Sequence, residues 1–388
     1  MARLAQRIIQ LTPSLTLAVT AQAAQLRAAG VDVCGLGAGE PDFDTPDFIK
    51  QAAKDALDRG ETKYGPVGGH PELRQAIAQM VGRSCTPAQV LVTVGGKQSL
   101  YNLMMTLLDP GDEVIIPSPY WVSYPEMVRL AEGRAVLVPT TRATEYKITP
   151  AQLQAHITPQ TRLVVLNSPG NPTGMVYTHS ELTALAQVIV DHDLLVLSDE
   201  IYDQLLYDGA TFTSISSLGD EIWQRTIISS GFSKSYAMTG WRLGYLVAPP
   251  DIIQGAAGLQ SHSTSNVATF VQRGGLAALT DPRTPAIVQT MRRAFEERRS
   301  LVCDLLDTIP GLAYLRPQGA FYVWIDIAST GLDSTTFCQK LLAQERVACV
   351  PGIAFGADDH IRISYATDPQ TLQTALGRLG NFMTSLKK

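Results

Sequence analysis

The sequence has no long apolar run. No stretch of about 18 residues is free of charged residues, glycine and proline, so no transmembrane helix is predicted, and the first ten residues lack the apolar segment of a secretion signal. Blocks of five or more like charges are also missing, and 31 basic residues against 36 acidic ones give a net charge of -5. Nucleic acids and membranes are therefore unexpected partners, and we expect the protein in the cytoplasm.

Cysteine and histidine are few and scattered. None of the five cysteines forms a C-x-x-C pair, and the six histidines show no H-x-x-x-H spacing, so neither a disulfide framework nor a metal site is predicted. What the sequence does contain is the 45% hydrophobic content of a folded protein. Its 388 residues are too many for one ordinary core, so we expect two domains of unequal size.

Apolar strands alternate with helical segments from residue 89 onward. This α/β pattern includes a helix from Tyr120, a helix from His179 to Asp191 and a strand over residues 241–248. It predicts a three-layer domain with a mostly parallel sheet and helices on both faces. After a long helix, short strands and two further helices predict a smaller α+β domain. The predicted divisions are an N-terminal segment that contributes to the small domain, the large cofactor-binding domain and the small C-terminal domain, at residues 1–45, 46–285 and 286–388.

Two glycine clusters are similar to known anion sites, but only the second is a candidate. The first, GLGAGE at residues 35–40, has G-x-G-x-G spacing and is followed by Pro41, where a dinucleotide-binding fingerprint requires a helix. The second follows a strand, and its residues Gly95 and Gly96 open a helix whose free N–H groups suit a phosphate. Considered alone, the second cluster also fits an ordinary turn between a strand and a helix.

Four polar residues occupy loops or strand ends further along the chain. They are Asn171 in NSPGNPTG, Asp199 in LSDEIY, and Lys234 and Arg242 in GFSKSYAMTGWRLGY, where Arg242 is predicted on a strand. Each has an ordinary structural reading alone, such as a turn or a helix cap. Together with the glycine turn they match the needs of pyridoxal 5'-phosphate, which requires a Schiff-base lysine and a carboxylate at its ring nitrogen.

A series of motifs in a fixed order gives the chain its resemblance to a known family. They are AGEPDFDTP, TKYGP, VTVGGKQ, SPYWVSYPEM, NSPGNPTG, SDEIY, SKSYAMTGWRLGY, GAFYV and IRISYA. Over essentially its full length, the chain resembles the class I pyridoxal-phosphate-dependent aminotransferases of fold type I, and is most similar to the bacterial aspartate aminotransferases. The resemblance implies ping-pong transfer of the amino group of L-aspartate to 2-oxoglutarate. Prephenate or an aromatic keto acid as acceptor, and C–S lyase chemistry, remain open.

The resemblance also implies roles for residues around the cofactor. Lys234 forms the Schiff base, Asp199 keeps the ring nitrogen protonated, and Tyr202 and Asn171 hold the ring oxygen. Trp121 stacks on the ring and, with Asn171, also faces the substrate. The residues implied to bind the phosphate are Gly95, Gly96, Lys97, Ser233 and Arg242. Position 231 is glycine where many relatives carry a phosphate-binding serine, so Ser230 or Ser233 is expected to replace it.

Substrate and subunit contacts follow from the same resemblance. Arg362 is implied to bind the α-carboxylate of the amino acid, together with the backbone N–H of Gly39. The distal carboxylate is expected to meet Lys97, with Ser14 and Thr16 nearby. Tyr64, in TKYGP, is implied to reach the phosphate of a neighbouring subunit, which implies a homodimer with shared active sites.

Overall fold

The computed structural model describes residues 4–386. Its helices are α1 (Gln6–Ile9), α2 (Leu15–Ala28), α3 (Asp47–Asp58), α4 (Pro71–Val81), α5 (Gly96–Leu107), α6 (Ser123–Leu130), α7 (Pro150–His156), α8 (His179–Asp191), α9 (Asp220–Trp223), α10 (Pro250–Ser261), α11 (Thr269–Thr280), α12 (Thr284–Leu306), α13 (Ser334–Glu345) and α14 (Pro369–Ser385). Its strands are β1 (Cys34–Gly35), β2 (Val90–Thr93), β3 (Glu113–Ser118), β4 (Arg134–Pro139), β5 (Thr161–Asn167), β6 (Leu195–Asp199), β7 (Thr226–Gly231), β8 (Gly244–Val247), β9 (Ala313–Tyr314), β10 (Tyr322–Asp326), β11 (Val347–Ala348), β12 (Val350–Pro351) and β13 (His360–Ser364).

A seven-stranded sheet forms the centre of the larger part. Its order is β2-β8-β7-β6-β5-β3-β4, and β8 runs in the direction opposite to the other six strands. Apolar side chains on both faces pack against helices, with α5, α6 and α10 contributing to one cluster and α7 and α8 to another. The predicted three-layer α/β architecture with a mostly parallel sheet is therefore confirmed.

The C-terminal part is built on a smaller antiparallel sheet. Its strands follow the order β12-β13-β10-β9, and its core includes buried side chains of α12, α13 and α14. The N-terminal helix α2 packs here as well, because Ala23 and Val33 contact Leu342 and Ala348. The contribution of the N-terminal segment to a small domain and the domain boundaries stay predictions.

Three neighbouring strands deliver polar residues to one edge of the large sheet. Asn167 ends β5 and lies opposite Asp199, which ends β6 and lies opposite Ser229 in β7. These strands are parallel, so their carboxyl ends meet at the same edge, where ligands of open α/β sheets bind. Helix α5 starts at this edge too, since it follows β2 directly.

Two local predictions need correction. The helix predicted from Tyr120 begins at Ser123, so Trp121 precedes it. The strand predicted over residues 241–248 is shorter, because β8 spans only Gly244–Val247. Arg242 therefore does not lie on a strand. It follows a 3₁₀ turn and has a left-handed backbone, with φ 54°.

Within residues 4–386, every helix is too short or too polar to span a lipid bilayer.

Candidate active site

A cleft of about 380 Å³ opens at the edge where these strands end. It gathers residues from the N-terminal segment, the large sheet and the C-terminal sheet. The predicted site residues that line it are Ser14, Thr16, Gly39, Gly96, Lys97, Trp121, Asn171, Asp199, Tyr202, Ser233, Lys234, Arg242 and Arg362. Gly95 lies directly before α5 and is not one of the lining residues. Tyr64 does not line the cleft, and 92% of it is exposed.

Asp199 is a buried carboxylate in this cleft, with 7% of its surface exposed. Its Oδ2 accepts a hydrogen bond of 2.6 Å from the Tyr124 hydroxyl, and its Oδ1 accepts one of 3.3 Å from the Ile201 N–H. Burial raises the pKa of Asp199 to about 6, while the Tyr124 hydroxyl acts in the opposite direction. A buried carboxylate is costly without a positive partner, so this site suits a protonated ring nitrogen.

Lys234 lies in the loop that follows β7. Its Nζ donates a hydrogen bond to the carbonyl oxygen of Gly39. Burial lowers the pKa of Lys234 to about 8, and the guanidinium groups of Arg362 and Arg242 act in the same direction, against the Glu40 carboxylate. A lysine with a lowered pKa is neutral more often at physiological pH, which makes it a better nucleophile and proton acceptor.

The helix start at α5 and Arg242 form the anion-binding end of the cleft. Gly95 has φ 80°, and a Cβ at this position would lie 2.6 Å from Nη2 of Arg242. A Cβ on Gly244 would lie 2.4 Å from the backbone nitrogen of Gly96. Only glycine at these positions therefore brings the guanidinium and the strand β8 so close to the helix N-terminus. The positive end of the helix and the arginine together suit a phosphate.

The glycine at position 231 has a packing reason. A Cβ at this position would lie 2.9 Å from Cα of Gly244 and 3.0 Å from a backbone oxygen, so a serine does not fit without a shift of β8. Ser230 and Ser233, the nearest serines on either side of this glycine, both line the cleft. The Ser230 hydroxyl already donates a hydrogen bond of 3.2 Å to the backbone oxygen of Glu200. Ser233 is therefore the better candidate for the phosphate.

Arg362 is a buried cation at the centre of β13, with 3% of its surface exposed. Its Nη1 donates to Oδ1 of Asn171 at 3.0 Å and its Nη2 donates to the Gly37 carbonyl at 2.9 Å. Its Nε is buried and has no partner within the described part of the chain. Both acceptors are neutral, so the positive charge is not compensated, and the site suits a bound carboxylate.

A further cation, besides Lys234, Arg242 and Arg362, enters the same cleft from α5. Lys97 places its Nζ 5.0 Å from the ring centroid of Trp121. The hydroxyl groups of Ser14 and Thr16 lie 2.8 Å apart and also line the cleft. The cleft therefore carries Lys97 and these hydroxyls in addition to the buried Arg362.

Among the cleft residues that sequence reasoning missed are three with polar side chains close to predicted residues. Tyr124 donates to Asp199, the Tyr322 hydroxyl lies 2.9 Å from that of Tyr202, and Asn167 lines the cleft beside them. All three fall inside quoted motifs, namely SPYWVSYPEM, GAFYV and NSPGNPTG. The motifs identified the segments that form the cleft, but only the fold shows which of their polar side chains line it.

The gathered groups fit pyridoxal 5'-phosphate. A lysine of lowered pKa, a buried carboxylate and a glycine-lined helix N-terminus with an arginine correspond to its aldehyde, its ring nitrogen and its phosphate. When bound, this cofactor supplies a carbon that condenses with amines and a ring that takes up electrons.

Comparisons with known proteins agree with this site. The family model for aminotransferase class I and II matches residues 31–379. The chain is 49% identical to the aspartate aminotransferase of Geobacillus stearothermophilus, covering 98% of this chain and 99% of that protein. It is 46% identical to the aspartate/prephenate aminotransferase of Thermus thermophilus, covering 98% of each.

Solved structures give the same picture. The structure of aspartate aminotransferase from Thermus thermophilus with maleate superposes with a TM-score of 0.94 at 45% identity, covering 98% of this chain and 100% of that chain. The aromatic aminotransferase from Pyrococcus horikoshii superposes with a TM-score of 0.89 at 41% identity, covering 94% and 99%. The chain therefore belongs to the class I and II aminotransferases, as a pyridoxal-phosphate-dependent enzyme of fold type I.

Proposed function

We propose that the protein is an aspartate aminotransferase, which transfers the amino group of L-aspartate to 2-oxoglutarate in a ping-pong reaction. The observation that carries this proposal is the presence of Arg362 and Lys97 in the cleft, in addition to Lys234 and to Arg242 at the phosphate end. Aspartate and glutamate each have two carboxylates, and two cations match that pair. Close relatives named aspartate aminotransferase support the proposal, as does a relative solved with maleate, which is also a dicarboxylate.

Arg362 and its neighbours bind the α-carboxylate in this proposal. The guanidinium is held by Asn171 and the Gly37 carbonyl, so its orientation is set before substrate arrives. The backbone N–H of Gly39 supplies a further donor. The distal carboxylate meets Lys97, with the hydroxyls of Ser14 and Thr16 beside it.

Lys234 accepts the proton from the α-carbon of the substrate and returns a proton later in the exchange. Its lowered pKa matches this work, because a base is most effective when its pKa is close to the working pH. Asp199 holds the ring nitrogen, while Tyr202 and Asn171 contact the ring oxygen. Trp121 covers the ring. At the phosphate, the donors are the backbone N–H groups of Gly96 and Lys97 and the side chains of Ser233 and Arg242. Gly95 allows the close approach of the backbone, since its own N–H donates to the Thr93 carbonyl at 2.8 Å.

The decisive experiment follows the visible absorption band of the cofactor-loaded enzyme without any keto acid. L-Aspartate should bleach this band at far lower concentration than L-alanine, because only aspartate engages both cations. In the variant Lys97→Ala, the preference for aspartate over alanine should fall by about 10- to 100-fold, the range expected for a lost hydrogen bond to a charged group. Rates of bleaching in a stopped-flow instrument measure both effects.

Two results would contradict the proposal. A band that survives saturating aspartate would reject the amino donor. An unchanged ratio of aspartate to alanine rates in Lys97→Ala would remove the role of Lys97 while leaving transamination intact. Pyruvate released from cystine or cystathionine would instead indicate the C–S lyase reaction that the sequence left open.

A second acceptor is favoured by a specific observation. Relatives at 46% identity from Thermus thermophilus and Cereibacter sphaeroides are named aspartate/prephenate aminotransferase. Both types of relative span the chain almost completely, so likeness alone does not separate the two acceptors. Comparing 2-oxoglutarate, prephenate and an aromatic keto acid as acceptors for enzyme first treated with aspartate decides between them.

We further propose a homodimer in which Tyr64 completes the site of the partner. Tyr64 is 92% exposed on a loop that is nevertheless firmly held. Gln260 donates to the Val67 carbonyl at 2.9 Å, and the Thr269 hydroxyl donates to the Glu61 carbonyl. An aromatic residue presented to solvent from an anchored loop is typical of a protein interface.

Mixed dimers test this sharing of residues. Neither Lys234→Ala nor Tyr64→Ala homodimers have a complete site, but a dimer with one chain of each has one intact site if Tyr64 acts across the interface. Such mixed dimers, purified with two different affinity tags, should recover about half of the wild-type activity per dimer. Activity no greater than the mean of the two parent homodimers would reject the shared site, and full activity of Tyr64→Ala would reject the role of Tyr64.

A further inference from the structure

We propose that Tyr124 is a positioning residue, whose hydroxyl keeps the Asp199 carboxylate ionised and oriented for the ring nitrogen of the cofactor. This inference rests on the role proposed for Asp199. It does not depend on which amino acid is the substrate, so it can be tested with the cofactor alone.

The geometry of Tyr124 leaves its hydroxyl one strong partner. The side chain is 1% exposed and packs in the apolar cluster beneath the large sheet. Its hydroxyl donates to Oδ2 of Asp199 at 2.6 Å, across 75 positions of the sequence. Its ring meets the ring of Trp121 nearly edge-on, with centroids 5.3 Å apart and an interplanar angle of 76°. One short stretch of chain therefore supports both the residue proposed to cover the cofactor ring and the carboxylate proposed for its nitrogen.

The charges around Asp199 explain why this donor matters. Burial, and then the negative charge of Asp199, raise the pKa of Tyr124 well above its usual value, so the hydroxyl keeps its proton and acts as a donor. A hydrogen bond donated to a carboxylate favours the ionised form, whereas burial opposes it. The other groups that face Asp199 are the Lys234 amine, the Glu200 carboxyl and the Tyr202 phenol. Among these side chains, only Tyr124 is hydrogen-bonded to the carboxylate within residues 4–386.

The variant Tyr124→Phe removes this hydroxyl and little else. Without the donor, the pKa of Asp199 rises, so a smaller fraction of the carboxyl is ionised at mildly acidic pH. Binding of pyridoxal 5'-phosphate to cofactor-free enzyme should therefore weaken about fivefold at pH 6, because a one-unit rise in a pKa near this pH lowers the ionised fraction by that factor, with a much smaller change at pH 8. When the dissociation constant is plotted against pH, the midpoint of its change on the acid side should lie about one pH unit higher for the variant than for the wild type.

The measurement is a fluorescence titration of cofactor-free enzyme with pyridoxal 5'-phosphate at a series of pH values. The phosphate group of the free cofactor titrates identically with both proteins, so the difference between the profiles reports the enzyme. Tyr177→Phe is a matched control, because Tyr177 is also buried and its hydroxyl accepts from the Ile148 N–H at 3.1 Å, without a hydrogen bond to Asp199. This control is expected to lose stability with no shift of the midpoint.

A double-mutant comparison separates positioning from packing. In an Asp199→Asn background, Tyr124→Phe should change cofactor binding by less than about twofold, because the residue through which it acts is already neutral. If Tyr124→Phe does not fold, a fluorinated tyrosine at position 124 serves instead, since its more acidic hydroxyl should move the midpoint to lower pH. An unshifted midpoint, an equal loss at every pH, or full additivity with Asp199→Asn would overturn the proposal.

Discussion

Replacing Lys234 with alanine is expected to reduce turnover of L-aspartate by more than about 10⁴-fold, because one amine supplies both the nucleophile and the base. The phosphate end of the cleft and Asp199 are untouched by this change, so the variant should still bind the cofactor. Initial rates with aspartate and 2-oxoglutarate measure the loss. Borohydride reduction followed by peptide mass spectrometry should find the cofactor attached at position 234 in the wild type and no attachment in the variant.

Lys340→Ala is the matched control for this experiment. Lys340 is exposed on α13 and lies outside the cleft lining, so its removal should leave the rate unchanged. Retention of more than a few per cent of the activity by Lys234→Ala would show that another group moves the α-proton. Borohydride reduction that attaches the cofactor to a different lysine in the wild type would also contradict the role of Lys234.

Replacing Arg362 with leucine is expected to lower kcat/KM by about 10²- to 10⁴-fold, the range measured when one partner of a buried charge pair is removed. Aspartate and alanine should be affected alike, because both present an α-carboxylate to this guanidinium. Arg362→Lys should recover little, since an ammonium group cannot keep the contacts with Asn171 and Gly37 while facing the substrate. Steady-state kinetics with both amino acids check each expectation.

The comparison with Lys97→Ala sharpens this test. Loss of Lys97 should impair aspartate selectively, whereas loss of Arg362 should impair both amino acids. If Arg362→Leu spares alanine, the two cations have exchanged roles, and the substrate lies in the cleft in the opposite orientation.

The sequence predicted the fold where the local pattern is strong. Helix α8 spans His179–Asp191, the residues predicted for it, because its apolar positions repeat on one face after a capping threonine. Strands buried on both faces were also evident as apolar runs. The start of α6 and the backbone of Arg242 were not predictable in this way, because contacts distant in sequence decide them.

In the site, too, local motifs were predictable from the sequence and contacts between distant segments were not. Motifs identified the chemical groups, and the parallel strands explain why Asn167 and Asp199 lie side by side. The hydrogen bond between Tyr124 and Asp199 connects a helix to the end of a strand, and the residue pattern of neither segment predicts it. Contacts between elements depend on the packed arrangement, so only the fold reveals them. The proposed site roles, the shared dimer site and the cytoplasmic location remain predictions.

The close packing of Gly231 against Gly244 bears on how this chain tolerates substitution. A serine at position 231 requires the backbone of β8 to move first, because a Cβ there would lie 2.9 Å from Cα of Gly244. Gly244 in turn is confined by the backbone at Gly95 and Gly96. The effect of one substitution thus depends on residues in two other segments, which geneticists call epistasis. A serine introduced at position 231 is therefore expected to be more destabilising in this sequence background than in one where the residues around Gly244 have also changed.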